Sequence, residues 1–188
     1  MTNSALLVMD VQQGIVERLG QDPGYLPRLG RAIDAARAAD MPVIYVVIGF
    51  RTGHPEISPR NKTFSALAGA GGPAFAEGDP AARIHPGAAP RDGDVVVTKK
   101  RVSAFAGSDL DMVLRARGTD SLVLTGIATS GVVLSTLRQA ADLDFGLTVL
   151  EDCCLDGDPE VHRVLTEKVF PRQADVVGTD KWVADLGQ

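Results

Sequence analysis

The sequence predicts a three-layer α/β/α domain built on a six-stranded parallel sheet, and three observations carry that prediction. Short β-branched runs alternate with amphipathic stretches along the whole chain, the pattern of strands connected by helices. The runs themselves are apolar at consecutive positions, as in Leu122–Thr125, which suits parallel strands covered on both faces. At 188 residues, 45% of them hydrophobic and 23% charged, the chain can bury one substantial core but not comfortably two. A single domain over residues 1–188 is therefore expected.

Taken in order, the first strand is Ala5 to Met9, and the heptad-free stretch from Gly24 to Ala39 reads as a helix leading to a second strand, Pro42 to Ile48. A third strand follows at Asp94 to Thr98. The next helix, Ser108 to Arg117, opens with Ser108 and Asp111 in the spacing of a capping box. Strand four, Ser121 to Thr125, runs into a glycine turn and then a helix from Ser130 to Leu143, where Val133, Leu137, Ala140 and Ala141 recur at helical spacing. Strand five is Gly146 to Leu150. Asp158, Pro159 and Glu160 supply an N-cap, a preset φ and a first-turn carboxylate for a helix reaching Phe170, before strand six at Ala174 to Val177. Between Phe50 and Asp92 lie six of the eleven prolines (Pro55, Pro59, Pro73, Pro80, Pro86, Pro90), so this segment is expected to form the wall or lid of a pocket.

Composition excludes several partners. The net charge is −5 with acidic and basic residues interspersed, giving no basic stripe for nucleic acid or an anionic membrane. No apolar run is long enough to span a bilayer, and MTNSALLVMD lacks the basic region and cleavage site of a signal peptide, so a cytoplasmic location is expected. Cys153 and Cys154 are adjacent, a spacing unsuited to a mutual disulfide, and read as reduced thiols. His54, His85 and His162 show no ligand spacing; no metal and no cofactor are expected.

In open parallel sheets ligands bind beyond the carboxyl ends of the strands. That rule selects Asp10 and Gln12, Phe50 and Arg51, Lys99 and Lys100, Ala128 to Val132, and Glu151 to Cys154. Asp10 and Lys99 could form a proton-handling pair or a structural ion pair at the sheet edge. The turn through Ile127, Ala128, Thr129, Ser130 and Gly131 is expected to aim backbone N–H groups, up to Val132, at an anion or a developing oxyanion. The hydroxyls of Thr129 and Ser130 have no histidine beside them in sequence, and a serine at a helix start is commonly an N-cap. Arg51 reads equally as a clamp for a substrate carboxylate or as a solvated loop residue.

The segments LLVMDVQ, VVTKKRVSAFAGSDLDMVLRARG, LVLTGIATSGVVLSTLRQA and VLEDCCLDGDPEVHRVLTEKVFPRQADVV resemble the isochorismatase-like hydrolase superfamily, or cysteine hydrolases, which includes nicotinamidases and carbamoylsarcosine amidases. The resemblance implies a Rossmann-like, isochorismatase-like fold, a small polar metabolite as substrate and a homo-oligomer. It matches Asp10 to the family aspartate and Lys99, four residues before Ser103 of the SAF motif, to the family lysine; Lys100 is three residues before and should point elsewhere. The family cysteine follows a GxATxx sequence that aligns with Gly126 to Gly131, and its position is Val132 here. A valine cannot form the covalent acyl-enzyme of the amidase branch. The isochorismatase branch also lacks the cysteine and cleaves a vinyl ether with the aspartate as proton donor, but its tyrosine and histidine are replaced by Ala128 and by Thr129 to Ser130. The resemblance further implies Phe105 as a pocket wall and a cis peptide at Ile127 to Ala128, while Gln12 and Arg51 are substrate-binding candidates from their places after strands one and two. The metal-binding region of nicotinamidases reads FRTGHPEI here, with His54 alone. Two functions follow: a hydrolase using the Asp/Lys pair without a thiol, on a vinyl ether or C–N bond, or an inactive homologue that binds small molecules or acts as a scaffold.

Overall fold

The computed structural model describes residues 3–19, 22–70 and 74–187; Pro73 lies outside them. Its centre is a sheet of six strands: β1 (Ser4–Met9), β2 (Val43–Ile48), β3 (Val95–Lys99), β4 (Ser121–Ile127), β5 (Gly146–Leu155) and β6 (Asp175–Val177). Their spatial order is β3-β2-β1-β4-β5-β6, and every neighbouring pair is parallel. The chain winds outward from β1 to β3 on one side, then restarts at β4 on the other, so the winding reverses between β1 and β4. Ligand crevices of such sheets open at that reversal, beyond the strand carboxyl ends.

Consecutive apolar residues along each strand feed opposite layers. Leu6 and Val8 pack into one core with Tyr25, Leu29 and Trp182, whereas Ala5, Leu7 and Met9 pack into the other with Leu114 and Leu137. The first layer contains α1 (Gln13–Leu19), α2 (Tyr25–Ala38), α3 (Lys62–Gly69) and α7 (Thr179–Leu186); the second contains α4 (Leu110–Ala116) and α5 (Leu134–Asp142). Helix α6 (Pro159–Val164) follows β5 and continues as irregular turns to Arg172. Among the described residues no helix is long and apolar enough to cross a membrane.

The structure corrects several expected boundaries. Strand β5 extends to Leu155, so both cysteines lie within it; its pairing with β4 slips, with Leu124 opposite Val149 but Gly126 opposite Cys154. Helices α1, α3 and α7 are additions, each eight residues or fewer and too short to show a full apolar period. Helix α5 starts at Leu134 rather than Ser130, because Gly131 (φ −97°, ψ −105°) breaks the helical path. The capping box at Ser108 does not form: its Oγ donates to the Ala104 carbonyl (2.6 Å) and meets only the Leu110 amide, while Asp111 pairs with Arg115. At α6, Asp158 does cap, accepting from the amides of Glu160 (2.9 Å) and Val161 (3.4 Å).

Candidate active site

A cavity of about 520 Å³ opens at the carboxyl ends of β1 and β4. Asp10, Lys99, Ile127, Ala128, Gly131 and Val132 belong to its lining, and so do Ile15, Arg18 and Leu19 of α1. Much of the remaining wall comes from the proline-rich segment, through Thr63, Phe64, Ala66 and Leu67 of α3 and through Phe75, and the rest includes Ile48 of β2 and Val102. The cavity is predominantly apolar, with its charge concentrated at Asp10, Lys99 and Arg18.

Asp10 follows β1 directly, in a left-handed backbone conformation (φ +56°) that aspartate tolerates better than most residues. Lys99 ends β3, two strands away, so its side chain has to pass the end of β2 to place Nζ 2.9 Å from Asp10 Oδ2. Both side chains are almost wholly enclosed, 2% exposed for Lys99 and 9% for Asp10. Lys99 Nζ also donates to the Arg101 carbonyl at 3.0 Å. The other carboxylate oxygen, Asp10 Oδ1, is buried without a hydrogen-bond partner among the described residues. Burial raises the Asp10 carboxyl above its ordinary range, and the charge and hydrogen bond of Lys99 oppose that rise. Lys100 is turned away: its Nζ donates to the Gly49 carbonyl at 2.6 Å, outside the cavity.

The turn after β4 is built on Gly126 and a cis peptide between Ile127 and Ala128. Gly126 has φ +141°, and a Cβ there would lie 2.2 Å from the Met9 carbonyl oxygen, so only glycine lets β4 approach β1 this closely. Not all of the turn's amides face outward as expected. Ser130 N–H donates to Asp156 Oδ2 (2.7 Å) and Gly131 N–H to the Ala128 carbonyl (3.1 Å). Thr129 is wholly buried with Oγ1 2.8 Å from His162 Nδ1. Sequence adjacency missed this histidine, which arrives from α6; the contact ties the turn to that helix, and neither residue lines the cavity. Val132 is 2% exposed and contributes to the cavity wall.

Three expected substrate contacts sit elsewhere. Arg51 is exposed and paired with Glu56 (2.6 Å), because its loop carries it away from the crevice. Gln12 is fully buried and structural: Nε2 donates to the carbonyls of Ile48 (2.9 Å) and Ala82 (2.7 Å), while Oε1 accepts from the Ile48 amide. Phe105 packs in the opposite core layer, 6.1 Å from the Phe145 ring. The cysteines point to opposite layers of β5 and away from the cavity, with burial pushing the Cys153 thiol up to about 11 and raising Cys154 well above the usual thiol range. The three histidines are dispersed: His54 meets the Phe50 ring at a tilt of 60°, His85 accepts from the Gly87 amide and His162 meets Thr129. Among the described residues no group of three or more His, Cys, Asp or Glu side chains is placed to hold a metal. Sequence reasoning missed Arg18, Ile15 and Phe64, although Ile15 and Leu19 at helical spacing and Asn61 as the α3 N-cap were signals for the short helices that carry them.

Residues 4–181 match the isochorismatase domain. The chain belongs to the isochorismatase family. The isochorismatase family protein YwoC of Bacillus subtilis is 33% identical over 90% of this chain and 86% of its own. The ureidoacrylate amidohydrolase RutB of Variovorax paradoxus is 36% identical over 80% of this chain and 68% of its own. Among solved structures, an isochorismatase family protein from Burkholderia thailandensis superposes with a TM-score of 0.86 at 29% identity, covering 99% of this chain and 96% of that one. The N-carbamoylsarcosine amidase of Thermoplasma acidophilum gives 0.76 at 26% identity, covering 96% and 98%. The isochorismatase-like fold anticipated from the motifs is thus the fold of the chain, and its broad activity class is that of an isochorismatase-family hydrolase.

Proposed function

We propose that this isochorismatase-family member hydrolyses a C–N bond of a small metabolite with Asp10 as the proton-transfer group and water as the nucleophile. The observation that carries the reading is the buried Asp10–Lys99 pair in the cavity lining: Lys99 holds one carboxylate oxygen, and the other, Oδ1, is buried without a hydrogen-bond partner among the described residues. With valine at position 132, attack by a thiol is replaced by attack by water. Asp10 takes one proton from that water as its oxygen bonds to the carbonyl carbon, and returns the proton to the nitrogen as the C–N bond breaks. Lys99 orients the carboxylate and opposes the effect of burial on it, while the amides of Ala128 and Val132 serve the developing oxyanion. Relatives named as an amidohydrolase and an amidase favour a C–N bond over a vinyl ether. A raised carboxyl pKa suits a group that must both accept and return a proton near neutral pH.

The test is a screen of amides, ureides and vinyl ethers against the parent, Asp10→Asn and Val132→Cys. Loss of general acid–base catalysis should lower turnover by about 10²- to 10⁴-fold in Asp10→Asn. Full activity in that variant refutes the assignment. One observation favours a second reading, a binding protein without catalysis: the nucleophile position is occupied by a buried apolar side chain. An inert parent beside a Val132→Cys variant that hydrolyses amides would select it.

A further inference from the structure

The two edges of the sheet differ. β6 is only three residues long and begins at the exposed Asp175, a short and charged edge of the kind that resists pairing with another chain. β3, at the opposite edge, pairs with β2 over five residues without a register shift, and Val95, Val96, Val97 and Thr98 are all β-branched. No proline, charge or bulge interrupts it before Lys99, although such residues suit a pleated surface best. The Lys99 carbonyl accepts from the Gly49 amide at 3.3 Å, so by the alternation of a strand Val97 and Val95 face β2, whereas Val96 and Thr98 turn their N–H and C=O groups outward. Among the described residues nothing pairs with that outer side. Val96 is 47% exposed and Met112 of α4 is 68% exposed, two of the four large apolar side chains left exposed among the described residues, and both line one shallow groove with Thr98 and Ser108.

The charges at the two ends of β3 decide what fits there. Asp92 and Asp94 precede the strand and Lys100 and Arg101 follow it, while Lys99 is turned inward to Asp10. Two copies of β3 laid antiparallel set the acidic end of each against the basic end of the other, whereas two copies laid parallel would set like charges together. The edge is thus complementary to itself in hydrogen bonding, in apolar side chains and in charge. We propose that β3 pairs antiparallel with β3 of a second copy of this chain, across a two-fold axis at Val97, joining two six-stranded sheets into one. In this register Val96 lies opposite Thr98 of the second copy, each exchanging both backbone hydrogen bonds, and Asp94 lies opposite Lys100. A two-fold contact of this kind closes on itself, so the edges are used up in a dimer instead of growing a fibre. The assignment does not depend on the chemistry at Asp10.

Sedimentation velocity of the whole chain over a concentration series tests it. The parent should sediment with the mass of an even number of chains. Val96→Lys sets a charge on the edge, and Val96→Pro removes an N–H that has no partner within the chain; each should halve that mass while keeping the far-UV circular dichroism of the parent. Val97→Cys would face itself across the axis in a non-hydrogen-bonded pair, with Cβ atoms about 4.5–5.5 Å apart, so mild oxidation should link two chains. Val95→Cys would face Lys99 and should not link. A monomeric parent overturns the proposal and leaves the edge to a strand of another protein. Val96 variants that fold and keep the parent's mass overturn it as well. Should neither Val96 variant fold, the cysteine pair decides: no linkage through Val97→Cys, or equal linkage through Val95→Cys, overturns the pairing.

Discussion

Replacing Lys99 with methionine tests whether the pair beneath the cavity is an obligatory charge pair. The substitution keeps the length of the side chain and removes the ammonium 2.9 Å from Asp10, leaving a carboxyl 9% exposed with neither oxygen matched to a cation. Breaking one partner of a buried ion pair costs roughly 3–5 kcal/mol, because the remaining charge has lost both solvent and partner. For a chain of this size about 1 kcal/mol moves the melting temperature by about 2–4 °C, so a fall of about 6–20 °C is expected near neutral pH. Burial already raises Asp10 above the ordinary aspartate value of 3.8, and Lys99 is the principal influence holding it down. Without Lys99 the folded-state value rises further. Stability contributed by a carboxyl raised in the folded state is fully present below the unfolded value and is lost as pH climbs through the folded one. The gap between parent and variant should therefore be small near pH 4 and wide near pH 8. Thermal unfolding followed through the single, buried Trp182 reports it directly. The double variant Asp10→Asn with Lys99→Met should recover much of the loss. A Lys99→Met protein as stable as the parent at about pH 8, or a deficit that does not shrink on acidification, refutes the view that Asp10 depends on Lys99 for its charge.

Two further outcomes follow from the geometry around the crevice. Gly126→Ala should cost about 3 kcal/mol or more, since it combines an unfavourable φ of +141° with a Cβ 2.2 Å from the Met9 carbonyl; a melting temperature within about 2 °C of the parent would show that β1 and β4 can separate cheaply. Cys153 and Cys154 are buried with raised thiol pKa values, so neither should react with a thiol reagent at about pH 8 until the protein unfolds, while Val132→Cys should add one reactive thiol reachable from the cavity; rapid labelling of the folded parent contradicts this.

The sheet was legible because burial on two faces leaves a local trace: five of the six strands needed consecutive apolar residues, and Ala5 to Met9 or Leu122 to Thr125 could satisfy no other role. Asp10 and Lys99 were legible for a related reason, since a residue that directly follows such a run must emerge at the strand's carboxyl end. The walls were not. Helices α1 and α3 are one or two turns long, and Ile15, Arg18 and Phe64 face the cavity only because tertiary packing folds those turns over the crevice.

The chain by itself therefore determined the layered architecture and the family, both of which are written in residues close together or in patterns repeated along a strand. Tertiary structure alone decided which charges meet. It joined Lys99 to Asp10 over 89 residues of sequence, brought His162 to Thr129 over 33 and Gln12 to Ile48 over 36, and left Arg18 at the cavity unpaired among the described residues. The physical reason is range: strand and helix patterns arise from neighbours within a turn or two, whereas an ion pair or a cavity depends on where distant segments end.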